Sequence, residues 1–268
     1  MGNQGASKCV GIIGVGNMGE ALLAALISAG QSPSAICFAE KRDDRALEIS
    51  TKYGAQRKEL EALKACDVIL LVVKPQDLGT TLGALNLTEP KSLISFIAGK
   101  KIAAIEGAVA PGSSVIRVMP NTPALIGKGM SALSRGTHTT DADMEFALHF
   151  LRAAGRAVEV SEDAQDAVTA TSGSGPAYFF AFVEAMINGA TNLGLPAEVA
   201  TELTVQTIIG AAGMLEQSGK DAKTLRENVT SPNGTTAAAL ATFGELNLTS
   251  IVSQAMNSAA KRSEELSQ

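Results

Sequence analysis

The stretch that most limits what this chain can fold into is near its start. Val10-Gly11-Ile12-Ile13 runs straight into Gly14-Val15-Gly16-Asn17-Met18-Gly19, and the helix-forming Glu20-Ala21-Leu22-Leu23-Ala24-Ala25-Leu26 follows. An apolar strand, a glycine turn and an apolar helix in that order open a βαβ unit. Gly14 permits the tight turn, Gly16 lets backbone approach a pyrophosphate, and Gly19 lets helix and strand pack closely. The unpaired N–H groups at the helix start favour an anion. A second strand, Ala35 to Ala39, ends at an acid, Glu40, about twenty residues beyond Gly19, a position suited to ribose hydroxyls. Together these features point to a nicotinamide dinucleotide, and so to redox chemistry.

Up to about residue 160 short apolar runs alternate with amphipathic ones, as a parallel sheet with crossover helices requires. Strands are expected at Val10 to Gly14, Ile36 to Ala39, Val68 to Val73, Leu93 to Phe96, Val115 to Met119 and Ala157 to Val160. Helices are expected at Asp44 to Tyr53, Glu59 to Ala65 and Ile102 to Ala108. After Ser161 the spacing is helical throughout: Asp163 to Ala170, Ala177 to Leu193, Pro196 to Gln217, Ala222 to Asn228 and one long helix from Thr235 to Glu265. The expected organisation is an α/β dinucleotide-binding domain over 1–161 and an all-α domain over 162–268. Ala177 to Leu193 and Val205 to Leu215 are apolar on all sides, more than so small a domain can cover, so a second subunit is expected to cover part of them.

The net charge of −5, with no basic block, argues against a nucleic-acid partner and for small molecules. The N-terminal Met1 to Ser7 is polar, with no hydrophobic signal region and only a loose echo of a myristoylation pattern, and no stretch has the run of apolar residues that a membrane span needs. A cytoplasmic protein is expected. Cys9, Cys37 and Cys66 each lie in or beside a strand-like run and read as small buried hydrophobes rather than a disulfide or metal site. His138 and His149, the only histidines, both read as surface polar residues, so neither a zinc site nor a Ser-His-Asp triad is expected and the cofactor must carry the chemistry.

Loops expected at the carboxyl ends of the strands are Lys74-Pro75-Gln76, Ile97-Ala98-Gly99 and Met119-Pro120-Asn121-Thr122-Pro123. Lys74 ends a buried strand and needs a partner, for which a ribose or a substrate carboxylate is a candidate. In the helical half, Thr171 to Tyr178 reads as a helix start, with Pro176 at the first helical position and Ser174 near the cap. Asn228-Val229-Thr230-Ser231-Pro232-Asn233-Gly234-Thr235-Thr236 places hydroxyls and free N–H groups before a long helix, which suits a carboxylate.

Taken as an ordered set, G-x-G-N-M-G, V-K-P, A-G, M-P-N-T-P, G-S-G-P-A-Y and N-V-T-S-P-N-G-T-T resemble the pyrroline-5-carboxylate reductase family from about Val10 to Leu266. The resemblance implies a Rossmann-like domain followed by an all-α C-terminal dimerisation domain, and sometimes rings of dimers. It implies hydride transfer from NAD(P)H to the C=N carbon of 1-pyrroline-5-carboxylate, giving L-proline. It further implies that Ser231, Gly234, Thr235 and Thr236 hold the substrate, with Thr236 hydrogen-bonded to the ring nitrogen. Ile13, Gly14, Val15, Gly16, Asn17, Met18, Val73, Lys74, Pro75, Ala98, Gly99 and Asn228 would line the cofactor. Family members often carry small hydroxylated residues after the second strand, whereas this chain has Glu40-Lys41-Arg42. Glu40 suits the ribose hydroxyls of NADH, and Lys41 with Arg42 suits the 2′-phosphate of NADPH, so NADP(H) is favoured, with NAD(H) the alternative.

Two other readings carry less. A hydroxy-acid dehydrogenase of the same build would want a catalytic lysine in a helix of the second domain, and Lys220, Lys223 and Lys261 read as solvent-facing. A nucleotide sensor without catalysis would have no reason to carry Ser231 and Thr236.

Overall fold

The computed structural model describes residues 8–267, so the polar stretch at Met1 to Ser7 lies outside the described residues. By compactness the chain divides into two units, one of residues 1–174 with 259–268, the other of residues 175–258.

The first unit is an eight-stranded sheet. Its strands are β1 (Val10–Ile13), β2 (Ile36–Ala39), β3 (Gln56–Arg57), β4 (Val68–Leu71), β5 (Ser92–Ser95), β6 (Ser114–Met119), β7 (Gly129–Arg135) and β8 (Gly155–Glu159), in the order β3-β2-β1-β4-β5-β6-β7-β8. Every pair is parallel except β6 with β7. The order reverses at β1, so β2 and β4 leave it in opposite directions and open a crevice at their carboxyl ends. The helices are α1 (Asn17–Ser28), α2 (Asp43–Tyr53), α3 (Leu78–Leu85), α4 (Ile102–Glu106), α5 (Asp141–Arg152) and α6 (Gln165–Val168).

Alternation along the strands fills both faces. Val10, Ile12, Ile36, Phe38 and Leu70 pack with Leu22 and Leu26 of α1, Ile49 of α2 and Phe150 of α5. Ile13, Ile69 and Leu71 face the other way, toward Leu78 and Leu82 of α3 and Ile102 and Ile105 of α4. This is the doubly covered arrangement that apolar parallel strands need.

Besides the short β3 and helix α3, neither of which was expected, the structure departs from the sequence reading in four main places. Antiparallel β7 was not expected, because its Gly-Met-Ser-Ala-Leu-Ser-Arg run is not apolar. Its Ser131 and Ser134 are nevertheless buried, and the Ser134 hydroxyl donates to the Val160 carbonyl (3.0 Å) while accepting from the Gln165 amide (2.8 Å). The expected helix at Glu59 to Ala65 is a 3-10 turn over Leu60–Ala65. Pro176 does not start a freshly capped helix, since Ser174 has αR backbone and its N–H donates to the Thr169 carbonyl (2.8 Å), carrying the chain through a π-turn from α6 into the next helix. The long helix expected from Thr235 to Glu265 is two, broken where Asn247 takes the left-handed conformation at φ 55°.

The second unit is all helix: α7 (Gly175–Asn192), α8 (Ala197–Gln217), α9 (Ala222–Asn228), α10 (Thr235–Glu245) and most of α11 (Leu248–Leu266). Its apolar side chains are poorly covered within one chain, and Phe179 and Phe180 of α7 are 65% and 64% exposed. The last residues of α11 belong to the first unit, where the Ser263 hydroxyl donates to Asp166 (2.6 Å).

Arg45 of α2, itself buried, locks the glycine turn to its neighbours. Its Nε donates to the Val15 carbonyl (2.9 Å), Nη1 pairs with Glu48 (2.7 Å) and Nη2 with Glu20 of α1. Burial alone would raise the Glu20 carboxyl, but hydrogen bonds from Lys52, Arg45 and Tyr53 outweigh it and hold it at about 2. A carboxyl depressed on folding stabilises above its ordinary value near 4.5, and that contribution is lost as pH falls toward 2. Glu20→Gln is expected to cost about 1 to 3 kcal/mol at pH 7, with the gap to the parent protein closing below pH ~3 in thermal melts. A gap of the same size at both pH values would remove the ion pair from this account.

Candidate active site

At the carboxyl ends of β1, β2 and β4 lies a cleft of about 780 Å³. Its floor is the glycine turn. Gly14 has φ +92°, and a Cβ there would sit 2.6 Å from the Val72 carbonyl oxygen, so neither the conformation nor the space admits a side chain. A Cβ on Gly19 would lie 2.1 Å from the Gly14 oxygen, the close helix-to-turn contact expected of the third glycine. Gly16 differs from both. Nothing lies within 4 Å of its would-be Cβ, and as N-cap of α1 it offers no side chain to the open N–H groups of the first helical turn. The result is a bare, electropositive helix end beside open space, which fits a dinucleotide pyrophosphate.

The walls carry mixed charge. Glu40 is already engaged, its carboxylate accepting from the Val15 N–H (3.2 Å) and the Arg42 N–H (3.1 Å). Lys41, Arg57, Lys58 and Lys74 line the cleft beside Glu40, Glu59 and Asp77, so cations are in slight excess. The Arg57 guanidinium pairs with Asp43 (2.7 Å) and donates to the Glu40 carbonyl (3.2 Å), which holds it at the mouth beyond β2.

Of the residues expected around a cofactor, Ile13, Gly14, Gly16, Glu40, Lys41, Val73 and Lys74 line this cleft. Val15 is buried behind the turn, and Asn17 and Met18 begin α1. Arg42 is the exposed N-cap of α2, outside the lining. Pro75 starts a 3-10 turn just after Lys74. Ala98 is exposed, while Gly99, at φ +70°, is packed against the Leu266 backbone. Arg57 and Lys58 were missed, because β3 is only two residues long and carries no apolar pattern to place it beside β2.

Elsewhere in the first unit, two of the polar residues singled out in the sequence have structural partners. The Asn121 side chain accepts from the Met130 N–H (2.8 Å) and donates to the Ser172 carbonyl (3.1 Å), tying the Met-Pro-Asn-Thr-Pro turn to β7. His149 is an exposed surface residue, as expected, with its Nε2 3.1 Å from the Ala29 carbonyl oxygen.

In the second unit the Ser231 to Thr236 segment forms a tight turn into α10. Asn233 is left-handed at φ 59°, the Gly234 N–H donates to the Ser231 carbonyl (3.1 Å), and Gly234 caps α10 with no side-chain bond. A Cβ on Gly234 would fall 2.5 Å from the Ser231 hydroxyl, so only glycine lets that hydroxyl lie over the helix start. The first N–H groups of α10 are left open beside the hydroxyls of Ser231, Thr235 and half-buried Thr236. Asn228 ends α9, exposed. A separate groove of about 560 Å³ in this unit is lined by Arg226, Thr230, Ala237, Ala241, Phe243 and Leu248 among others, and by none of Ser231, Gly234, Thr235 or Thr236.

The chain is 39% identical to a pyrroline-5-carboxylate reductase of Corynebacterium melassecola over 96% of this chain and 98% of that one. The chain belongs to the pyrroline-5-carboxylate reductase family. The family model for pyrroline-5-carboxylate reductase dimerisation matches residues 162–266, and one described as NADP oxidoreductase, coenzyme F420-dependent, matches residues 9–99. Among solved structures, a pyrroline-5-carboxylate reductase from Coxiella burnetii superposes with a TM-score of 0.92 at 33% identity, covering 98% of this chain and 99% of that one. Pyrroline carboxylate reductase from Plasmodium falciparum, solved with NADP bound, gives a TM-score of 0.85 at 28% identity, covering 97% of this chain and 98% of that one. The α/β sheet followed by a helical dimerisation region, expected from the sequence, is the family's architecture.

Proposed function

We propose that the chain performs the family reaction with the glycine-turn cleft as its dinucleotide site and the Ser231 to Thr236 turn as its substrate site. It is an oxidoreductase that reduces 1-pyrroline-5-carboxylate to L-proline, the last step of proline biosynthesis, using NAD(P)H. The observation that carries the assignment of residues is the bare end of α1 at Gly16, open where a pyrophosphate must approach. When bound, the cofactor supplies the hydride.

The protein's own residues bind and orient. Ile13 to Met18 and Val73 to Pro75 shape the dinucleotide site, with Ala98 and Gly99 beside it on the first unit. The open N–H groups of α10 and the Ser231 hydroxyl hold the substrate carboxylate, Gly234 and Thr235 keep that helix start clear, and Thr236 hydrogen-bonds the ring nitrogen. A cyclic imine that enters protonated is already electrophilic, so positioning suffices and no strong general acid is needed. The dinucleotide half is assigned to residues 1–174 with 259–268 and the substrate and dimerisation half to 175–258, in place of the expected boundary at 161/162. The protein acts in the cytoplasm on a small molecule, with no nucleic acid as partner. Oxidation of NADPH or NADH on addition of pyrroline-5-carboxylate tests the assignment directly, and no turnover with either cofactor would overturn it.

For the cofactor, the cation excess at the cleft mouth supports NADPH, with Lys41, Arg57 and Lys58 around the 2′-phosphate and Glu40 withdrawn onto the turn. Arg42, the other cation expected there, is an auxiliary at most. Arg57→Ala with Lys41→Ala is expected to raise KM for NADPH at least about tenfold while changing KM for NADH less than about twofold, as two lost charge-assisted bonds imply. Equal effects on both cofactors would count against the assignment.

Self-association follows from the exposed apolar helices and the dimerisation family model. The folded protein is expected to sediment as a dimer or as a ring of dimers. An active monomer at sub-micromolar concentration would refute this.

A further inference from the structure

The three cysteines of this chain, far apart in sequence, meet on one face of the sheet. Side-chain alternation sends Cys37 to the same face as Gly11, its register partner on β1, and Cys9 immediately precedes β1. Cys66 reaches the same spot from the turn before β4. Gly11 makes the meeting possible, because a Cβ there would press to 3.3 Å against the Cys66 sulfur. The Cys9 and Cys66 sulfurs are 2.7 Å apart, and all three lie within 4.8 Å of one another. Cys66 is buried, whereas Cys9 and Cys37 are half-buried, so the cluster is closed at the bottom and open at the top.

We propose that Cys9, Cys37 and Cys66 form a three-sulfur site for a thiophilic d10 cation, distinct from the substrate and cofactor sites. A metal–sulfur bond near 2.3 Å in a three-coordinate arrangement needs sulfurs about 4 Å apart, which the cluster reaches by small side-chain rotations. Soft thiolate donors select such ions over magnesium or calcium. The surrounding charge suits a cation, since the Asp67 carboxylate accepts from the Cys9 N–H (2.7 Å). Lys58 near Cys37, and Lys91, which donates to the Cys66 carbonyl (3.3 Å), moderate the negative charge that thiolates would bring. A Cys9–Cys66 disulfide would leave Cys37 without a part, whereas a three-sulfur site uses all three side chains.

The test is titration of the reduced, full-length protein with Cd(II) alone under anaerobic conditions. The expected result is one equivalent bound, with a sulfur-to-metal charge-transfer band in the ultraviolet and proton release on binding. With only three cysteines in the chain, the band reports on this cluster alone. Cys37→Ser is expected to lower the affinity at least about tenfold and shrink the band by about a third, with reductase activity unchanged. In the parent protein, one equivalent of Cd(II) is expected to slow modification of all three thiols together, a reading independent of whether any variant folds. Absence of the band, or a band indifferent to Cys37→Ser, would overturn the proposal. So would loss of two of the three titratable thiols on mild peroxide treatment with no Cd(II) band from the reduced protein, which would identify the pair as a disulfide switch instead.

Discussion

Gly19→Ala is expected to disable the cofactor half of the protein, lowering its stability by about 3 kcal/mol and weakening NADPH binding together. The added methyl would sit 2.1 Å from the Gly14 oxygen and 3.0 Å from its carbon, and both are backbone atoms that cannot swing aside. Helix α1 must therefore back away from the turn, at the upper end of the usual cost of overpacking. That retreat carries the open N–H groups of α1 away from the cleft. Gly16→Ala supplies the control, since its methyl meets nothing within 4 Å and its backbone, at φ −62°, accepts alanine without strain. Its thermal midpoint is expected to stay within about two degrees of the parent, while its affinity for NADPH falls at least about tenfold because the methyl occupies the space a pyrophosphate needs. Thermal melts and fluorescence titration with NADPH separate the two. If Gly16→Ala bound NADPH normally, the pyrophosphate would have to lie elsewhere.

Thr236→Val is expected to lower kcat/KM by about ten- to hundredfold. The substitution keeps the shape of the side chain and removes only the hydroxyl. A hydrogen bond involving a charged group contributes about 1.5 to 3 kcal/mol, and the charge on the ring nitrogen changes during reduction. NADPH binding measured without substrate is expected to remain within about twofold. Thr236→Ser, which restores the hydroxyl, is expected to recover most of the activity. Full activity in the valine variant would reduce Thr236 to a helix-start residue.

The parts of the fold legible in the sequence are those held by apolar burial and by glycine sterics. The strands around Ile12, Phe38 and Leu70 announce themselves as apolar runs because both faces of the sheet are covered. β7 did not, since a buried serine bonded to Val160 and Gln165 looks, in sequence, like a loop serine. The break between α10 and α11 was equally hidden. Asn247 takes the left-handed position usually filled by glycine, and asparagine is a weaker stop signal than glycine in a helical pattern. For the candidate site, the glycine turn and the Ser231 to Thr236 turn could be singled out because each is local in sequence. Arg57 and the cysteine cluster were not, because pairing between distant strands brings them into place.

The return of the end of α11 to the first unit has a consequence for the order in which the protein folds. Gly99 is packed against the backbone of Leu266, and Ser263 is bonded to Asp166, so the first unit is discontinuous in sequence, its two pieces separated by residues 175–258. Domains ordinarily fold as units as they emerge. Here the N-terminal sheet can assemble early, but its loop at Gly99 lacks its neighbour until the whole of the helical unit has been synthesised. A nascent chain stalled before residue 259 would hold a formed sheet with that turn uncovered, so the first unit to begin folding is the second to be completed.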